Sequence, residues 1–319
     1  MKIVVLDGYT LNPGDISWAA LEALGELTVY DRTSADKTVE RIGDAGIVLT
    51  NKTRLTADVF DAAPNIKFVG VLATGYDVVD VAAAKQRGIP VCNVPGYATD
   101  AVAEMVFALL LELCRYTGAH AEAVKNGEWT DSPDFCFWKH PMSELNGKTM
   151  GIVGLGRTGQ KTAAIAQAFG MKVIAVSGSR ALPEADTLRY VTMEQLLAQA
   201  DVISLHCPLT VATKQLINRD TISRMKDGVM LINIARGGLI DEQALADALN
   251  SGKVAGAACD VVSAEPIHAD NPLLKAKNII ITPHIAWAAR PSRERLMEQT
   301  AKNVAAYLSG QPINVVNRI

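Results

Sequence analysis

Missing from this chain are a long apolar run, a surplus of one charge and a close cysteine pair, and each absence removes a class of protein. The most apolar stretch, 101–114, contains Glu104 and Glu112 and is too short to cross a bilayer as a helix, so it reads as a core or interface helix. The amino-terminal run 1–6 stops at Asp7 and Gly8, far short of a signal-peptide core, and no small-residue cleavage site follows. It reads as a first buried strand, and no membrane association is expected. With 31 basic and 34 acidic side chains the net charge is −3, which leaves no basic face for nucleic acid. The five cysteines, Cys92, Cys114, Cys136, Cys207 and Cys259, are odd in number and contain no CxxC pair. They point to a reducing cytoplasm, where a free thiol packs as a small hydrophobe. His120, His140 and His268 lack partners at metal-ligand spacing, so no metal is expected. Neither a fixed-period repeat nor a low-complexity tract occurs.

What is present is an α/β rhythm. At 319 residues the chain exceeds the usual size of one packed core, which favours two domains. Short β-branched runs alternate with Ala- and Leu-rich stretches, the pattern of parallel strands joined by crossover helices. The first series predicts strands at 2–6, 27–30, 46–49, 67–71 and 90–93. A long helix over 100–117 follows, capped by Thr99 or Asp100 and apolar on more than one face. Segment 127–147 holds Trp129, Pro133, Phe135, Phe137, Trp138 and Pro141 with no helix or strand period, and reads as an ordered surface loop. The second series predicts strands at 150–153, 172–176, 201–205, 229–234, 256–260 and 278–282, enough for a complete dinucleotide fold. A last helix, 291–308, is surplus to that fold and is expected to return to the first domain. That makes the first domain discontinuous, 1–99 with 287–319, and the second an insertion, 100–286.

The sharpest motif stands at the head of the second series. The apolar run 149–153 leads into Gly154-Leu155-Gly156-Arg157-Thr158-Gly159, and 160–169 reads as a helix. In this setting the first glycine permits a tight turn, the second lets backbone approach a pyrophosphate, and the third allows close helix packing. The helix amino end favours the anion. In a site for NAD, an acidic residue about twenty positions further on binds the ribose 2′-hydroxyl. Here Ser177-Gly178-Ser179-Arg180 follows the second strand, with two hydroxyls and a guanidinium but no carboxylate. Such groups suit a 2′-phosphate, so NADP(H) is expected to be favoured, with NAD(H) possible.

Polar residues follow three later strands: Arg236 after 233–235, Glu265 after Asp260, and His284 after 280–283. Open parallel sheets bind their ligands at those strand ends. Arg236 can grip a carboxylate through two parallel hydrogen bonds. His284 can exchange a carbonyl proton near neutral pH, and Glu265 can orient the ring and favour the imidazolium that reduction needs.

Segments 151–159, His206-Cys207-Pro208-Leu209-Thr210, 233–241, 260–266 and Thr282-Pro283-His284 resemble those of the D-isomer-specific 2-hydroxyacid dehydrogenase family, and the likeness covers nearly the whole chain. The resemblance implies two doubly wound parallel-sheet domains, a Rossmann dinucleotide-binding domain inserted into a flavodoxin-like substrate domain, with the active site in the cleft between them. It also implies that Arg236 binds substrate, that Glu265 pairs with His284 as the acid/base, and that Asp260 holds the nicotinamide carboxamide. Pro208 and Thr213 would line the adenosine side. Val102, Arg157, Thr158, Ser177, Ser179, Arg180, His206, Cys207, Ile234 and Ala235 would complete the coenzyme's surroundings. The family binds the substrate carboxylate on backbone amides of a first-domain loop, here Thr74 and Gly75. Its members are commonly dimers joined near 100–138, so a homodimer is expected. Asp7-Gly8-Tyr9, 99–104, 134–138 and 284–287 are similar to the glycerate dehydrogenases, also called hydroxypyruvate reductases. The implied substrate is a small 2-keto acid, hydroxypyruvate or glyoxylate before pyruvate.

Other readings differ in class. Transcriptional corepressors resembling this family keep the same dinucleotide domain and triad, but the chain shows no long disordered arm to recruit partners. Formate or phosphite oxidation would use the same fold. Glu265 argues against formate, because the formate-specific relatives carry Gln there, and the glycerate-like segments favour a carbon substrate over phosphite.

Overall fold

A computed structural model describes residues 1–177 and 188–318. The chain divides into one unit made of Met1–Ala98 with Trp287–Ile319 and a second made of Thr99–Ala286.

In the first unit, β1 (Lys2–Val5), β2 (Glu26–Val29), β3 (Ile47–Thr50), β4 (Phe68–Val71) and β5 (Val91–Cys92) form one sheet in the order β2-β1-β3-β4-β5. All its pairings are parallel, with Ile3 opposite both Leu27 and Ile47. Strands β3 and β4 are buried along their whole length, which is why they read as unbroken apolar runs. Edge strand β2 alternates exposed and half-buried residues instead. The order is that of flavodoxin-like sheets. One face packs Phe60, Ala83 and Ala84 against Val4, Val48 and Val69. The other is closed by Leu296, Met297 and Val304 of the helix Arg290–Leu308, whose Tyr307 ring lies 4.7 Å from that of Phe68.

Arg293 of that helix is 9% exposed and holds the amino-terminal segment in place. It donates to both carboxylate oxygens of Asp15 at 2.7 Å and to the Leu11 carbonyl at 3.0 Å. The guanidinium keeps the Asp15 carboxyl below the usual aspartate range. A depressed carboxylate stabilises the fold above its ordinary range and ceases to do so as the pH falls through its folded value. Arg293→Met should therefore lower Tm at neutral pH, and the gap to the parent should shrink on acidification. Thermal melts between pH 7 and pH 3 check this, and a gap that does not change with pH contradicts it.

The second unit holds β6 (Thr149–Val153), β7 (Lys172–Val176), β8 (Leu188–Tyr190), β9 (Val202–Leu205), β10 (Val229–Asn233), β11 (Val254–Cys259) and β12 (Ile279–Ile281). Their order is β12-β11-β10-β9-β6-β7-β8 and every described pairing is parallel. This is the Rossmann order with one further strand beyond the sixth. The sequence predicts six strands where the sheet has seven. The missed one, β8, has three residues of which only Leu188 is buried, too little to register as a period. It makes β9 the fourth strand, hydrogen-bonded directly to β6, so the strand order reverses between those two.

The long helix is Thr99–Arg115, which places Thr99 and Asp100 inside the helix rather than at its cap. Its buried side chains, from Ala103 through Leu110 to Cys114, form one broad stripe, and Met105 and Leu111 pack against the same core half-buried. The helix ends earlier than expected. Tyr116 adopts left-handed backbone with φ 52°, and a separate helix Thr117–Lys125 follows, its Gly118 amide donating to Glu112 Oε1 at 3.1 Å. From 126 to 148 there is neither helix nor strand, and Phe135 and Trp138 stand 89% and 66% exposed. No helix among the described residues is long and apolar enough to cross a membrane.

Candidate active site

Each glycine of the turn after β6 is required for a different physical reason. Gly154 has φ +98°, and a Cβ there would stand 2.7 Å from the Cys207 nitrogen and 2.9 Å from the His206 carbonyl carbon, both backbone atoms of the neighbouring strand end. A Cβ on Gly159 would lie 2.3 Å from the Gly154 oxygen. The helix Arg157–Ala168 can thus pack hard against the turn only without a side chain at that position. Gly156, the residue preceding that helix, differs: a Cβ there meets nothing within 4 Å. That leaves an open cradle at a helix amino end, where first-turn N–H groups and the helix dipole favour an anion. Arg157 is exposed on the first turn and Thr158 half-buried beside it.

β7 ends at Val176, and the half-buried Ser177 comes next with no acidic residue before it. Ser179 and Arg180 lie outside the described residues. Across the switch point, His206 follows β9, its amide donating to the Val153 carbonyl at 2.8 Å. Its Nε2 lies 2.8 Å from Ser204 Oγ, while the buried Nδ1 has no hydrogen-bond partner among the described residues. Burial pushes this histidine down to about 4, so it stays neutral and is no proton donor near pH 7. An open glycine cradle and an orphaned ring nitrogen at adjacent strand ends fit a bound dinucleotide. The Thr213 hydroxyl donates to the Pro208 carbonyl at 2.7 Å and accepts from the Thr210 amide, so it shapes the turn that the resemblance sets beside adenosine. Cys207 is half-buried, as are Val102 near the start of the long helix and Ile234 and Ala235 just after β10.

Arg236 stands on the turn after β10, and the buried Asn233 side chain shapes that turn. Asn233 Nδ2 donates to the Arg236 carbonyl at 2.9 Å and Oδ1 accepts the Ala235 amide at 3.1 Å. Glu265 follows β11, and His284 follows β12. Their side chains meet, with His284 Nδ1 2.7 Å from Glu265 Oε2 and both groups only partly exposed. His284 carries left-handed backbone, φ +55°, an uncommon state for a residue with a Cβ. Asp260 holds that loop in place. Only 1% exposed, it accepts from Thr282 Oγ1 at 2.6 Å and from the Ile285 and Ala286 amides at 2.8 Å each. Asp260, which the resemblance sets beside the nicotinamide, thus accepts three hydrogen bonds from the histidine loop, two on Oδ1 and one on Oδ2. Within this unit the glycine turn, His206, Arg236, Glu265 and His284 all follow the carboxyl ends of parallel strands, along one edge of the sheet.

Thr74 and Gly75 follow β4 in the other unit. Three successive carbonyls here are engaged: Leu72 accepts from Asn51 Nδ2 at 2.7 Å, Ala73 from the Val94 amide at 3.0 Å, and Thr74 from Asn93 Nδ2 at 2.7 Å. The Thr74 and Gly75 amides make no hydrogen bond among the described residues. Such amides can donate to an anion. Asn51 and Asn93 escape a reading by motif. Their only signal is a buried amide at the end of an apolar strand.

A Rossmann sheet with an open glycine cradle at its switch point, and a histidine–carboxylate pair along the same edge, defines a nicotinamide-dependent dehydrogenase. Residues 107–286 match the family described as D-isomer specific 2-hydroxyacid dehydrogenase, NAD binding domain. The chain is 57% identical over 323 residues, spanning all of both proteins, to a hydroxypyruvate reductase of Blautia hydrogenotrophica. It is 41% identical to a glycerate dehydrogenase of Methylorubrum extorquens, covering 99% of this chain and 98% of that one. Among solved structures it is similar to an acyclic imino acid reductase in complex with NADPH and D-arginine, with a TM-score of 0.86, 32% identity and coverage of 99% and 100%. The chain belongs to the D-isomer-specific 2-hydroxyacid dehydrogenase family. It is an oxidoreductase of small hydroxy acids that uses a nicotinamide coenzyme.

Proposed function

We propose that this enzyme reduces hydroxypyruvate or glyoxylate to the 2-hydroxy acid, with NADPH preferred over NADH. The hydrogen bond between His284 and Glu265 carries the reaction assignment, because carbonyl reduction needs a proton donor held in one orientation. When bound, the nicotinamide supplies the hydride. With Nδ1 turned to Glu265, His284 delivers its proton from Nε2 to the carbonyl oxygen while the carbonyl carbon accepts the hydride. Arg236 grips the substrate carboxylate, the Thr74 and Gly75 amides are further donors for it, and the unit Thr99–Ala286 carries the coenzyme. The substrate class is supported by the hydroxypyruvate reductase and glycerate dehydrogenase relatives. The coenzyme preference rests on Ser177, Ser179 and Arg180 standing where an NAD site has a carboxylate. The NADPH-bound reductase shows that a protein similar to this chain takes that coenzyme. All five cysteines are free thiols, which suits the cytoplasm, and the exposed Phe135 and Trp138 suit burial against a second copy in a homodimer.

Initial rates for hydroxypyruvate, glyoxylate, pyruvate and 2-oxobutyrate, each with NADPH and with NADH, test this directly. The highest kcat/KM should fall on hydroxypyruvate or glyoxylate with NADPH. A strong NADH preference overturns the coenzyme assignment, and failure to reduce any of the four acids overturns the activity.

A further inference from the structure

Glu242 opens the helix Glu242–Ser251, yet it does not cap it, since the preceding Asp241 already accepts the Ala244 amide at 3.1 Å. Its carboxylate turns instead to the loop between β11 and β12. Oε1 accepts the Ser263 amide at 2.7 Å, and Oε2 accepts Ser263 Oγ at 2.7 Å and Asn271 Nδ2 at 2.9 Å. Asn271 is itself fixed, because its Oδ1 accepts the Leu273 amide at 3.0 Å. Each of these donors belongs to the loop that carries Glu265.

A second contact joins the same two segments. A Cβ on Gly237 would fall 1.9 Å from the Val262 carbonyl carbon and 2.4 Å from the Ser263 nitrogen, so the backbone next to Arg236 lies directly on the loop. That packing sets how close the segments come but does not stop the loop sliding along its partner. Hydrogen bonds from one carboxylate to a main-chain amide, a hydroxyl and a side-chain amide do stop it, because they fix direction as well as distance.

We propose that Glu242 is a positioning residue for the reaction: it ties the 261–271 loop to the Arg236 segment and thereby holds Glu265 in register with His284. The inference rests on His284 and Glu265 being the acid/base pair. Glu242 touches neither substrate nor coenzyme and acts only through the loop.

Glu242→Ala, Glu242→Gln and Ser263→Ala test it, with His284→Ala run in parallel. Misplacing a catalytic group by an ångström can cost about 10²-fold, so Glu242→Ala should lower kcat by about 10- to 100-fold. Its coenzyme Kd should match the parent's. The primary isotope effect on kcat with coenzyme deuterated at the transferred position should rise, because the chemical step, in which proton and hydride move together, becomes limiting. Amide exchange at Ser263 should speed up. Glu242→Gln keeps an acceptor for the Ser263 amide and should recover most of kcat, while Ser263→Ala keeps that amide and should lose little. If Glu242→Ala has the parent's isotope effect and loses activity only in proportion to unfolded protein, the proposal fails alone. If His284→Ala turns over like the parent, the acid/base assignment fails and this proposal with it.

Discussion

Replacing His284 with alanine should lower turnover of the preferred keto acid by about 10² to 10⁴-fold, the usual contribution of a positioned acid or base. Coenzyme affinity should stay close to the parent's, because the glycine cradle and the ends of β6 and β9 do not depend on that side chain. The other ring at this sheet edge cannot substitute. His206, held down to about 4 by burial, is neutral near pH 7 and lacks the acidic imidazolium proton. Glu265→Gln should fall between parent and His284→Ala, since glutamine can still hold the ring but cannot stabilise an imidazolium by charge. Steady-state kinetics with coenzyme titrations by fluorescence separate the two effects. Near-parental turnover in His284→Ala would refute the assignment.

A second large effect comes from paired substitutions in the glycine turn. Gly154→Ala forces a side chain onto backbone with φ +98°, at a cost of roughly 1–2 kcal/mol for the conformation alone. It also drives a Cβ into the His206–Cys207 backbone, which has no side-chain freedom with which to yield. Stability and coenzyme affinity should fall together, with Tm lower by several degrees. Gly156→Ala carries neither penalty, since its surroundings within 4 Å are open. Its Tm should equal the parent's while coenzyme affinity drops at least about tenfold, because the methyl group fills the space a pyrophosphate needs. Melting curves and coenzyme titrations on both variants check this. Equal affinity in Gly156→Ala and parent would remove the pyrophosphate from that cradle.

Most strands were legible because fully buried parallel strands are near-continuous apolar runs, as β3, β4 and β10 are. β8 was not, since a short edge strand with an exposed Arg189 has no pattern to distinguish it from loop. The break at Tyr116 was equally hidden, because the helical apolar spacing runs straight through it. In the site, the glycines were legible one by one, Gly154 and Gly159 through backbone contacts that the motif already encodes and Gly156 through the space it leaves open. Glu265 and His284 were legible as residue types at strand ends, but the hydrogen bond between them depends on two loops meeting. Hydrogen bonds that Asp260 and Glu242 accept from loop amides, and that Asn233 and Asn93 donate to loop carbonyls, leave no periodic trace. A sequence pattern records which side chains are apolar, not which carbonyl or amide a polar one will face.

The helix Arg290–Leu308 closes one face of a sheet whose strands all lie within the first hundred residues, and Cys92 bridges to Val315. A ribosome therefore makes the sheet of the first unit long before it makes the wall of that unit's core. The inserted unit, contiguous from Thr99 to Ala286, holds every strand of its own sheet by the time that helix emerges. The coenzyme-binding unit is therefore synthesised whole first, and the face of the amino-terminal sheet on which Leu11 and Leu21 pack gains Leu296, Met297 and Val304 only afterwards.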